Sequence, residues 1–378
     1  MWSYFRGAFL FTVACLGLAV WLGWSTTGTA SGTLGVLWIV VVLSVLEVSL
    51  SFDNAVVNAT VLRDMDPKWQ RRFLTWGIAF AVFGMRVVFP VAIVAIAAQV
   101  GPVEAVRLAA ADPERYEEMI TAAHVGIAGF GGAFLAMVGL KFFFDQDKEI
   151  HWIGIIEKRL ARLASIDAID IAFVLLALYL ISRMLPAEEA PTLINAGILG
   201  ILAYIAVEAV NSVLEPPEVE IAGAAVRSGL GGFLYLNVLD SAFSFDGVIG
   251  AFALSNNIFI IALGLGIGAM FVRSMTILLV DKGTLTQYRY LEHGAFWAIL
   301  ALAAIMLLSA RWHIPEVITG LIGAVLIGLS LLWSSRHNRR HHVQEDSEDS
   351  HRPIRPGGSR IEGAGPGPGG ADAAPPRP

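Results

Sequence analysis

Ten apolar stretches follow one another along this chain, at 5–24, 34–62, 73–99, 120–144, 168–186, 192–214, 228–254, 257–280, 291–310 and 313–335. About 20 apolar residues in a helix cross a hydrocarbon layer of about 30 Å, whereas a spanning strand takes only about 10. In lipid every backbone polar group must be satisfied within the protein, so runs of this length have to be helices. The expected fold is an all-α polytopic membrane protein with about ten transmembrane helices. The balance of residues agrees: 56% are hydrophobic and 15% charged, against about 25% charged in soluble domains.

The membrane domain is expected to cover 1–335. The remainder, 336–378, has almost no large apolar residues and much Gly and Pro, and is expected to be a disordered cytoplasmic tail. Its "HNRRHH" (337–342) reads as a basic flank of the last helix. The first stretch resembles a signal peptide but exceeds the usual apolar core, with only a loose cleavage site after it, so it is read as a retained helix. The single cysteine, Cys15, excludes an intrachain disulfide framework or a thiolate metal cluster.

Lys and Arg set the orientation. With the N-terminus inside, the inner loops hold Arg63, Lys68, Arg71 and Arg72, then Lys148, Lys158, Arg159 and Arg162, then Arg227, Lys282 and Arg289; the outer loops hold only Arg107, Arg115, Arg183 and Arg311. Both termini are thus expected to be cytoplasmic. Of the two long connections, 100–119 is outer and 145–167 inner; the inner one contains an amphipathic segment expected to lie on the membrane face.

Charged residues sit in the middle of two apolar stretches, where they are costly. "VLEVSLSFDNAVVNA" (45–59) aligns without gaps on "VLDSAFSFDGVIGAF" (238–252), matching Glu47 to Asp240, Ser51 to Ser244 and Asp53 to Asp246. "GIAFAVFGMR" (77–86) likewise matches "GLGIGAMFVR" (264–273), setting Arg86 opposite Arg273. The repeat unit is three helices, segments 2–4 (34–144) and 7–9 (228–310). Five crossings separate the copies, so they are expected to be inverted, an architecture that in secondary transporters holds substrate near the midplane.

At about 100° per residue, Ser51, Asn54 and Asn58 all lie within about 40° of Glu47 on one stripe, and Asp53 is turned about 120° away. Asp53 and Asp246 therefore reach the same site only if the helices unwind near Ser-Phe-Asp. Glu47, Asp53, Asp240 and Asp246 carry −4 and Arg86 and Arg273 return +2, leaving the charge one divalent cation neutralises. Carboxylate, amide and hydroxyl oxygens suit manganese, magnesium or calcium. The plain alternative is that Asp–Arg pairs staple helices together.

"EVSLSFDN" (47–54) and "LDSAFSFDG" (239–247) resemble the paired acid-x-x-x-S-x-D signatures of TerC-like integral membrane proteins, which belong with the LysE-type exporters. Gly247, where that family commonly has Ser or Asn, and the long insertion between the repeats mark a divergent branch. The resemblance implies export of metal ions, manganese above all, across the bacterial cytoplasmic membrane. It implies a metal site of Glu47, Asp53, Asn54, Asp240 and Asp246, with Ser51, Ser244, Asn58, Arg86 and Arg273 in support. The metal would be cargo, with no permanent cofactor, and the partners lipids rather than nucleic acid.

Glu208 and Asn211, one turn apart in the sixth stretch, could form a vestibule. His124 reads as interfacial, and Asp170, Glu292 and His293 fall at inner helix ends where solvation is easy. The sequence offers no nucleophile–base arrangement, so no enzymatic activity is expected. The expectation is a proton-coupled metal transporter; the alternative is a membrane scaffold, assembly or metal-loading factor that keeps the fold without transport.

Overall fold

The computed structural model describes the chain apart from residues 1, 64, 78–83, 85, 98–99, 146–149, 167, 215–228, 253, 313 and 351–378. Met1–Ser335 forms one compact unit and Arg336–Pro378 another. Helix is the only regular structure among the described residues.

A hairpin opens the fold. α1 (Trp2–Thr27) and α2 (Ala30–Leu50) are joined at Gly28, whose φ of +62° is open to glycine at little cost. Thr29 then caps α2, its Oγ1 accepting from the backbone N–H of Gly32 at 3.1 Å. The second stretch does not stay one helix. It breaks at Ser51 (φ −100°, ψ 20°) and resumes as α3 (Phe52–Arg63).

α4 (Pro67–Arg72) leads into π-helical turns over Phe73–Gly77 and again around Arg86, before α5 (Phe89–Ala97). The 100–119 connection forms α6 (Pro102–Ala111) and α7 (Pro113–Ala122), each opened by its proline. α8 (His124–Phe143), α9 (Gly154–Leu163), α10 (Ile169–Ser182) and α11 (Ala190–Leu214) follow. The chain continues through α12 (Gly229–Ala251), α13 (Ile258–Asp281), α14 (Thr284–Gln287), α15 (Leu291–Ser309) and α16 (Glu316–Ser350). Residues 336–350 are thus helical, and the expected disorder of 351–378 falls outside the described residues.

Seven helices among the described residues are long and apolar enough to cross a membrane: α1, α2, α8, α11, α13, α15 and part of α16. Among the described residues the expected count of about ten is not confirmed: the third, fifth and seventh stretches do not show as long apolar helices. π-helical turns interrupt the third stretch, α10 has 14 residues, and Asn237, Asp240 and Asp246 dilute the apolar character of α12. Fourteen helical residues rise about 21 Å, short of a hydrocarbon layer.

The outer helices turn apolar side chains outward, as lipid requires. Leu10 is 74% exposed, and Trp38, Leu321 and Leu332 are exposed as well. Trp2 and Trp24, both exposed, stand about 33 Å apart along α1, the separation of the two interfacial zones where Trp collects. This is a multi-pass membrane protein.

Inside, glycines bring helices into backbone contact. A Cβ on Gly129 of α8 would lie 2.7 Å from the carbonyl oxygen of Leu193 on α11. On α13, a Cβ at Gly264 would lie 3.1 Å from Val40 O and one at Gly268 3.0 Å from Ser44 O, so α13 presses on the α2 turns that carry Glu47. Ser44 Oγ donates to Gly264 O across that seam at 3.0 Å. α8 in turn packs on α11, α15 and α12 around Phe134, Met137, Tyr235 and Ile299.

One end of the bundle gathers Arg63, Glu292, Ile150 and His293. Arg63 pairs with Glu292 at 3.8 Å, and His293 Nε2 bonds to Ile150 O at 2.7 Å. His293 is therefore not a solvated helix end: it is 3% exposed, packed edge-on against Phe142 and 3.6 Å from Glu157.

Candidate functional site

Glu47, the last buried residue of α2, and Asp53, in the first turn of α3, flank the break at Ser51. On a straight helix they would diverge. With the break they line one cavity together with Asn54 of α3, Gly247 of α12, Leu302 of α15 and Thr319 of α16. Its volume is about 40 Å³, room for one ion or a few waters. Glu47 is 5% exposed and Asp53 8%.

Each carboxylate is held from several sides. Arg86, itself 3% exposed, pairs with Glu47 Oε1 through Nη2, and Ser51 Oγ donates to the same oxygen at 3.2 Å. Asp53 Oδ1 accepts from the backbone N–H of Asn54 at 2.9 Å. Asp240, on α12, receives Asn58 Nδ2 at 2.6 Å and a second hydrogen bond from the Asn54 side chain, with Arg86 and Glu47 in electrostatic reach. The stripe on α2 and α3 thus spans two acids: Ser51 serves Glu47, and the two asparagines serve Asp240.

Three buried oxygens nearby have no hydrogen-bond partner among the described residues: Asn54 Oδ1, Asn58 Oδ1 and Thr319 Oγ1. An unsatisfied buried acceptor costs about 1–3 kcal/mol. A cation, or water around one, would satisfy Asn54 Oδ1 and Thr319 Oγ1 beside the carboxylates. Such an all-oxygen set suits a hard divalent cation. Among the described residues no group of three or more Asp, Glu, His or Cys side chains is placed to hold a metal ion.

Gly247, the departure in the second motif, has a local reason. A Cβ there would lie 3.3 Å from Glu47 Oε2, so a Ser or Asn would crowd the carboxylate. Gly323 of α16 plays the same part for Asp53, with 3.0 Å from a built Cβ to Oδ2.

The two arginines are not equivalent. Arg86 pairs with Glu47, whereas among the described residues no ion pair joins Arg273 to an acid; the Nε of each is buried without a hydrogen bond among the described residues. Nor do the motifs share a backbone: α12 runs unbroken through Ser-Phe-Asp. The side chains of Asp246, Ser244 and Asn211 lie outside the described residues. Glu208 is half-buried on α11 and does not line the cavity.

Thr319, Gly320 and Gly323 were not anticipated. The available signal is "VITGLIG" (317–323), a small polar notch in the last apolar stretch, beyond the repeats.

Residues 52–341 match the family described as "Protein of unknown function (DUF475)". The matched region holds Asp53, Asn54, Arg86, Asp240 and Thr319, and begins just after Glu47 and Ser51. No curated protein and no solved structure matches the chain significantly.

Proposed function

Because this chain belongs to the DUF475 family, whose description names no function, its reading comes from the site, and we propose that it is a secondary exporter of a divalent metal cation, manganese foremost. One observation carries the proposal. Asn54 and Thr319, which line the cavity shared by Glu47 and Asp53, each hold a buried oxygen without a partner among the described residues. Charge supplies the coupling: Glu47, Asp53 and Asp240 against Arg86 leave two negative charges at the site, which either protons or one divalent cation can offset. Proton–metal exchange is the cycle this balance favours.

The TerC-like resemblance and the inverted repeat belong to the same proposal. α2 packs on α13, and α8 on α15, contacts between the two repeats that support this reading. In this reading both termini are cytoplasmic and the membrane is the bacterial inner membrane. The basic α4 follows Arg63, at the end where Arg63 meets Glu292, in keeping with the positive-inside bias. The chain is a carrier rather than an enzyme.

Purified protein in liposomes, screened over Mn²⁺, Ca²⁺, Mg²⁺, Zn²⁺ and Na⁺, tests the function. Metal flux with counter-movement of protons is expected, Mn²⁺ fastest; absence of flux for every ion leaves the scaffold reading, which the Glu47–Arg86 staple favours. Topology is tested separately, by cysteines added to the tail in a Cys15→Ser background. They should label only from the cytoplasmic side, and periplasmic labelling would reject the orientation.

A further inference from the structure

We propose that the outward face of α9 binds the anionic headgroups of membrane lipids. The argument starts from the helix's one acid. Glu157 is 2% exposed: its carboxylate accepts from the backbone N–H groups of Trp152 (2.9 Å) and Ile153 (3.1 Å) and from Trp297 Nε1 on α15 (3.0 Å). His151 and His293 each stand 3.6 Å from its Oε2. Glu157 therefore caps its own helix and fixes the rotation of α9 about its axis.

With Glu157 turned inward, the helical repeat dictates what faces out. At about 100° per residue the opposite face carries Ile155, Arg159 and Arg162, flanked by Lys158, Ile156 and Leu163. All six are exposed, Ile155 by 74%. Among the described residues of α9, three cations and no acid therefore share one surface, interleaved with three large apolar side chains. Arg162 Nε touches only Lys158 O of its own helix, at 3.3 Å.

That mixture selects the ligand. Phosphate groups complement the three cations, but a free anion gains nothing from Ile155, Ile156 and Leu163. At a bilayer surface the apolar side chains enter the acyl boundary while the basic ones reach the headgroups. Each such cation is worth roughly fivefold in affinity for an anionic surface, so three together are worth about 100-fold. The inference is independent of metal transport, and its test reads lipid binding alone.

Full-length protein in neutral detergent is titrated with phosphatidylglycerol, phosphatidylcholine or glycerol 3-phosphate, and its melting temperature followed. Phosphatidylglycerol should raise the Tm of the wild type and phosphatidylcholine should not, and added salt should weaken the effect. Lys158→Gln/Arg159→Gln/Arg162→Gln should shift the phosphatidylglycerol titration about 100-fold to higher concentration. Arg159→Lys/Arg162→Lys should keep the response, as should Arg107→Gln on α6. An unshifted response in the triple Gln variant overturns the proposal. So does an equal rise with phosphatidylcholine, or one with glycerol 3-phosphate.

Discussion

Asp240→Asn should abolish metal flux in liposomes while the protein still purifies as a folded species. The substitution keeps the shape of the side chain, and Asn58 can still donate to the remaining carbonyl oxygen at the position of Oδ1. What it removes is one negative charge from a site whose ionic balance is the proposed basis of transport. Loss of more than about 100-fold is expected, beyond the 10–100-fold typical for an outer-shell partner of a metal. Glu47→Gln should match it in flux but melt lower, because Arg86 then keeps its buried charge without its partner. Wild-type flux in Asp240→Asn would remove the acid from the transport path and leave it a helix staple.

Arg86→Gln is expected to have the largest effect on stability. Glu47 and Arg86 are both almost fully buried, and taking one member from such a pair strands the other in a low dielectric. The cost is roughly 3–5 kcal/mol, a large part of the stability of most domains. The double variant Arg86→Gln/Glu47→Gln removes both charges and should recover most of the loss. Thermal melts of the four proteins, wild type, each single and the double, give the coupling directly. Equal melting temperatures for Arg86→Gln and wild type would show that the pair is not held in the membrane-embedded protein.

Much of the site could be read from the chain because its chemistry is loud in an apolar background. Glu47, Asp53 and Asp240 stand out among leucines and valines, and four-residue spacings put Ser51 beside Glu47 and set Asn54 and Asn58 on one face of α3. The condition placed on Asp53, that the helix unwind at Ser-Phe-Asp, is met at Ser51 by a break of one residue. α16 was silent for the opposite reason. Thr319 and two glycines carry no charge, and nothing local says that an apolar helix outside the repeats closes the cavity. Glu157 was silent because its partners are distant: Trp297 and His293 lie well over a hundred residues along the chain. The repeat, taken alone, also overstated symmetry. It pairs Arg273 with Arg86 by position, but backbone breaks are set by local packing, and the first motif is broken where the second is continuous.

A stiff rod on either side of one soft joint is a lever, and the break at Ser51 makes α3 one. The twelve residues of α3 reach about 18 Å from the joint, so a swing of about 10° carries the Arg63 end about 3 Å. Asp53, two residues from the pivot, moves only about 0.5 Å in the same swing. The mouth can therefore travel several times farther than the carboxylate. The Arg63–Glu292 contact, at 3.8 Å and partly exposed, lies at the far end of that lever, and the buried packing of α3 on α13 and α15 sets how far it can turn.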